Sequence, residues 1–95
     1  MHVVKFCEVG RVLGTRAAGK KIREKIISMF DNDKIVLDFS EVDIISNSFA
    51  DECIGKMIAE YGIEFVKSKT TFKNVNNETV IVIKKVISDR LKDIA

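Results

Sequence analysis

Residues Ile35 to Gly55, IVLDFSEVDIISNSFADECIG, decide the fold. Ile35, Val36, Leu37 and Phe39 form a short, β-branched apolar run broken only by Asp38, the pattern of a buried central strand. Ser40 and Asp43 follow, two short polar side chains spaced to bond nearby backbone and turn the chain. Ile44 and Ile45 then lead back through the core, and Ser46-Asn47-Ser48 offers three consecutive helix-capping side chains before Phe49-Ala50-Asp51-Glu52, a suitable first helical turn. The stretch therefore reads as strand, polar loop and helix N-terminus, the junction at which α/β folds usually receive ligands and partners.

Working outward, the helix that starts here extends to about Tyr61, with Phe49, Cys53, Met57 and Ile58 inward and Ala50 and Ile54 flanking them. Gly62 fits its C′ position. Upstream, Thr15 is a good N-cap for a helix whose apolar stripe is Ala17, Ala18, Ile22, Ile26, Met29 and Phe30, closed by Asp31-Asn32-Asp33. Gly19 inside it costs about 1 kcal/mol relative to alanine, which points to close backbone approach there. Val3 to Val9 alternate imperfectly, as an edge or second strand would, and after Gly10-Arg11 the pair Val12-Leu13 either pairs back or leads into the helix.

Downstream, Ile63, Phe65 and Val66 fit a short strand, a helical turn or an ordered loop. Thr71 to Val75 read as a third core strand with Phe72 buried, and Asn76 and Asn77 as caps of a last helix with stripe Val80, Ile83, Ile87, Leu91 and Ile94. The β-branched run Thr79 to Ile83 also suits a strand, but the stripe continues at helical spacing and favours the helix. Residues 1–95 are thus expected to form a single α/β domain, a mostly parallel central sheet of three to five strands packed against about three helices. Its crossovers should be right-handed, with room for an antiparallel addition at the N-terminus.

Composition narrows the function classes. With 95 residues, 46% hydrophobic and 32% charged, the chain can bury one core and cover it. No apolar run reaches membrane-spanning length and Met1 to Lys5 lack a signal-peptide core, so a cytoplasmic protein is expected. Cys7 and Cys53 lack metal or CxxC spacing and read as buried thiols. A net charge of +2 does not demand nucleic acid. Lys20, Lys21, Arg23 and Lys25, like Lys84, Lys85, Arg90 and Lys92, are interleaved with Glu24, Asp89 and Asp93 and read as solvated helix faces.

No catalytic constellation stands out. His2 is the sole histidine, so an acyl-transfer nucleophile has no other imidazole to serve as its base. There is neither GxxxxGK nor GxGxxG. Asp38, Asp43, Asp51 and Glu52 would need to converge to hold a hard cation, and capping and solvation explain them more simply. The expectation is no enzyme, no cofactor and no metal.

The residues Leu37-Asp38-Phe39, Val42 and Ser46-Asn47-Ser48 resemble the strand-loop-helix core of STAS domains, the modules of anti-sigma-factor antagonists and sulphate-transporter tails. Asp38-Phe39-Ser40 with Ile45 to Glu52 is similar, more closely, to the signature of a bacterial STAS-like family of unknown function; Thr15-Arg16 and Phe72-Lys73-Asn74 extend the likeness over nearly the whole chain. The resemblance implies a non-enzymatic regulatory module that docks a protein, such as a histidine-kinase-like ATPase or a transcription regulator, through Ser46, Asn47, Ser48, Asp51 and Glu52. In partner-switching relatives an Asp-Ser-Ser-Gly loop is phosphorylated on its first serine, which falls on Asn47 here. Asn47 cannot accept phosphate; Ser48 remains a possible acceptor, although an N-cap hydroxyl bonding the amide near Asp51 explains it better. The alternative function is sensing of a small anion or nucleotide at the same helix N-terminus. Oligomeric state is left open.

Overall fold

The computed structural model describes residues 2–32 and 34–94, the Ile94 side chain excepted, so the expectations for Asp33 and for the Ile94 end of the stripe fall outside the described residues. At the centre lies β3 (Ile35–Asp38), all four of its residues buried. On one side it pairs in parallel with β1 (His2–Lys5), Val4 opposite Leu37; on the other with β5 (Thr70–Lys73), Phe72 opposite Leu37. The N-terminal strand therefore joins parallel rather than antiparallel. It gives way after Lys5 to a 3-10 turn, Phe6–Glu8, that buries Phe6. A second, two-stranded parallel ladder joins β2 (Val12–Leu13) to β4 (Ile44–Ile45), so Val12-Leu13 pair with the far side of the polar loop.

The strand order β1-β3-β5 steps in one direction at each crossover. Right-handed connections then place the crossover helices on the same face of the sheet. They are α1 (Arg16–Ile27) and a long helix, α2, which runs from Asn47–Ala50 through a π turn at Asp51–Gly55 into Lys56–Tyr61. Gly62, with φ of 87°, ends it in a conformation that favours glycine. The segment left open in the sequence is helical, α3 (Ile63–Lys69), and α4 (Asn77–Ile94) completes the layer. Val4, Ile35, Leu37 and Phe39 fill the space beneath the helices, where Phe6 stacks on Phe39 at 4.1 Å between ring centroids. On the other face of the sheet Val3, Lys5, Thr71 and Lys73 are exposed.

Helix α2 is the hub, with Phe49, Ala50, Cys53, Ile54, Met57 and Ile58 all buried between α1 and α4. Close packing on α1 explains Gly19: a Cβ there would lie 2.8 Å from the Phe49 carbonyl oxygen and 3.3 Å from the Cys53 amide. Gly19→Ala should therefore lower stability by about 1–3 kcal/mol in chemical denaturation, the overpacking cost exceeding the gain of about 1 kcal/mol in helix propensity. A net gain would show that α1 can draw back.

Other expectations change. Helix α1 ends at Ile27, so Met29 and Phe30 follow it in a turn, and Ala17 faces solvent. Phe72 is 40% exposed because β5 is an edge strand with little above it. The buried line of α4 is Thr79, Ile83 and Val86, leaving Ile87 half-buried and Leu91 exposed. Cys53 is buried and Cys7 half-buried, and both are free thiols.

Candidate functional site

The loop after β3 is shaped by Asp38, whose carboxylate accepts from the Ser40 amide at 2.9 Å and the Asn74 side chain at 3.0 Å. These donors hold its pKa below the ordinary carboxylate value. Glu41 takes a left-handed φ of 63°, and the Val42 amide closes the turn onto the Phe39 carbonyl. The chain then enters β4 beside β2, and Ser46 follows at the start of α2. Its hydroxyl accepts from the Phe49 amide and donates to the Gly14 carbonyl, both at 3.0 Å, so one side chain caps α2 and ties it to the loop before α1.

The cap is Ser46, and the helix starts two residues earlier than Phe49. Ser48 is thus not the cap: it lies in the first turn, exposed beside exposed Asn47, with no side-chain hydrogen bond among the described residues. Phe49 points inward and is fully buried. Ser46, Asn47 and Ser48 are therefore brought to one edge. Just before them, Val12 and Ile44 sit side by side in register and exposed, next to an Arg11–Asp43 ion pair.

Asp51 and Glu52 belong to a different environment. Asp51 receives a bidentate grip from Arg90, at 2.8 and 2.9 Å, and a third bond from Arg16 at 3.1 Å. Glu52, only 5% exposed, meets Arg23 at 2.9 Å, Lys56 at 3.1 Å and Arg16 at 3.2 Å. Arg23 also donates to the Glu52 carbonyl. The Arg23 guanidinium, helped by Lys56 and Arg16, pulls the Glu52 carboxyl down to about 2. Asp51 is likewise lowered, chiefly by Arg90. Glu52 is thus an internal anchor with little surface to offer a partner, and Asp51 is half-buried beside it.

Arg23 and Arg90, read in the sequence as solvated, are turned inward instead. A signal was present: Arg16, Gly19 and Arg23 share one helical face, and Arg90 continues the line Ile83, Val86. Arginine's forked, weakly hydrated cation suits such half-buried pairing better than lysine.

The four carboxylates weighed as cation ligands do not converge. Asp38 serves the loop, Asp43 pairs with Arg11, and Asp51 and Glu52 are bound by arginines. Among the described residues no group of three potential metal ligands forms. Burial raises the Cys53 thiol to about 12, far from a reactive thiolate. No described helix is long and apolar enough to cross a membrane.

Residues 18–80 match a family model described as a STAS-like domain of unknown function (DUF4325). That span runs from within α1 to the first turn of α4 and contains the loop after β3 and the start of α2, but not Arg11, Val12 or Gly14 on the β2 side of the edge. No curated protein and no solved structure matches the chain.

Proposed function

This chain belongs to the family of STAS-like domains of unknown function, and on that footing we propose a non-enzymatic docking module that binds a protein partner at the N-terminal edge of α2. The observation that carries the reading is the exposed pair Val12 and Ile44, on the β2–β4 ladder that leads into the Ser46 cap and next to the Arg11–Asp43 ion pair. An apolar centre within a polar rim is the usual anatomy of a protein interface. The edge is also rigid, since Ser46 ties two loops and Phe49 is locked in the core. By likeness to partner-switching STAS modules, the partner is a histidine-kinase-like ATPase or a transcription regulator.

A second reading, anion sensing at the same edge, draws support from the exposed Asn47 and Ser48 in the first turn of α2. Titration with inorganic phosphate, followed by amide chemical shifts, separates the two: the docking reading expects no saturable shift at Asn47 and Ser48.

The main test is retention of a co-purifying protein by the wild type, Ile44→Glu and Asn47→Asp. Asn47→Asp adds a negative charge near a helix N-terminus, worth at most about 1 kcal/mol in favour of the fold, so melting should be unchanged or slightly raised. Partner retention should fall in both variants, since each leaves a carboxylate without compensation in the interface. Equal retention by all three proteins, with intact melting, would remove this edge as the docking surface.

A further inference from the structure

The apolar stripe of α4 is only half used by the core. Ile83 and Val86 are buried, but Ile87 borders three depressions, one on α4 alone beside Lys84, Leu91 and Lys92, and two where α4 meets β5, the larger of these two reaching α3. Two of them, of about 240 and 200 Å³, lie either side of Phe72 and share Ile87 with it. Lys67, Lys84 and Lys92 stand on their rims, no carboxylate lines them, and none of these lysines forms an ion pair among the described residues. The floor is thus apolar and the border cationic.

Beside this groove runs the unpaired edge of β5. The Lys73 carbonyl accepts from the Phe39 amide and so faces β3. Alternation along the strand then turns the Phe72 N–H and C=O away from the sheet, together with the Thr70 C=O. The Thr70 N–H is already bonded to the Val66 carbonyl. An edge with free donors and acceptors invites pairing with another chain.

We propose that this edge and groove receive an extended segment of a partner protein, alternating apolar and acidic residues, added as a fourth strand beside β5. Its backbone pairs with Phe72 and Thr70, its apolar side chains enter the depressions around Ile87, and its carboxylates meet Lys67, Lys84 and Lys92. Strand addition obtains affinity from main-chain bonds and selectivity from alternate side-chain pockets. Charge complementarity sets the sign of the partner. The surface shares no residue with the Ser46 edge, so the two contacts are separable.

Random dodecapeptides displayed on phage and selected on the full chain test the proposal, with the selected peptide then synthesised and titrated by fluorescence anisotropy. The expected consensus alternates aliphatic and acidic positions. Lys84→Glu, at an exposed position, should weaken its binding about tenfold and favour a version with lysines in place of the acids. Ile87→Asp should weaken it further, with melting recorded alongside. N-methylation of every second peptide amide should abolish binding in one register and spare it in the other. Asn47→Asp should change nothing. Failure to select any peptide, a basic consensus, indifference to Lys84→Glu, helix formation by the bound peptide or equal sensitivity of both N-methyl registers would each overturn it.

Discussion

Glu52→Ala should cost the fold about 3–5 kcal/mol, the loss seen when one partner of a buried ion pair is removed. The side chain of Arg23 is only 13% exposed, and without the carboxylate it keeps its charge, its desolvation and no compensating anion. Urea denaturation at neutral pH measures this directly. A loss below about 1 kcal/mol, the range of an exposed pair, would mean that Arg23 swings into water. The same carboxyl gives the stability a pH signature. Its pKa falls from 4.5 to about 2 on folding, so the unfolded chain takes up the proton first as the solution is acidified. Stability from this group is therefore complete above about pH 4.5 and is lost as pH falls through about 2, with Asp51 acting in the same direction. Glu52→Gln should flatten that slope, leaving the shares of Asp51 and Asp38, whose carboxyls are also lowered. An unchanged acid limb in the variant would assign the acid sensitivity to other groups.

Leu37→Ala should be comparably damaging, at about 2–5 kcal/mol. Leu37 is fully buried on the central strand, with Val4 and Phe72 in register on either side. Neither neighbour can slide into the space, because each is fixed by its own ladder, so a cavity remains. Thermal or urea denaturation checks it, and a loss under about half a kilocalorie, the range of surface changes, would take β3 out of the core.

The sequence showed most clearly what depends on local pattern. The run Ile35 to Phe39, the Thr15 cap, the inward stripe of α2 and the turn at Gly62 all declare themselves within a few residues, and each stands where expected. Gly19 was legible too, because glycine in a helix is unfavourable unless something crowds it. What escaped depends on neighbours distant in sequence. Phe72 looks like a core residue until β5 proves to be an edge, and the rotation of α4 is set by Val86 and Arg90 meeting α2. At the candidate site, Asn47 and Ser48 are exposed, the capping role expected of Ser48 falling to Ser46, while Glu52 is drawn inside by arginines from another helix, which no local pattern around Glu52 reveals. Composition likewise hid Arg23 and Arg90 among lysines that do face solvent.

The all-parallel ladders carry a consequence for how the chain folds. His2 pairs with Ile35, Val12 with Ile44 and Ile35 with Thr70, so among the described residues no strand pair closes through a hairpin. Each ladder must wait for a helical crossover to bring its strands together, and the entropy of closing those long loops is lost before any pairing is gained. Until β1 and β5 arrive, the Ile35 to Phe39 segment is an uncovered apolar strand, open on both edges. A chain held in that interval presents an apolar strand to its neighbours, and self-association is expected to compete with folding there.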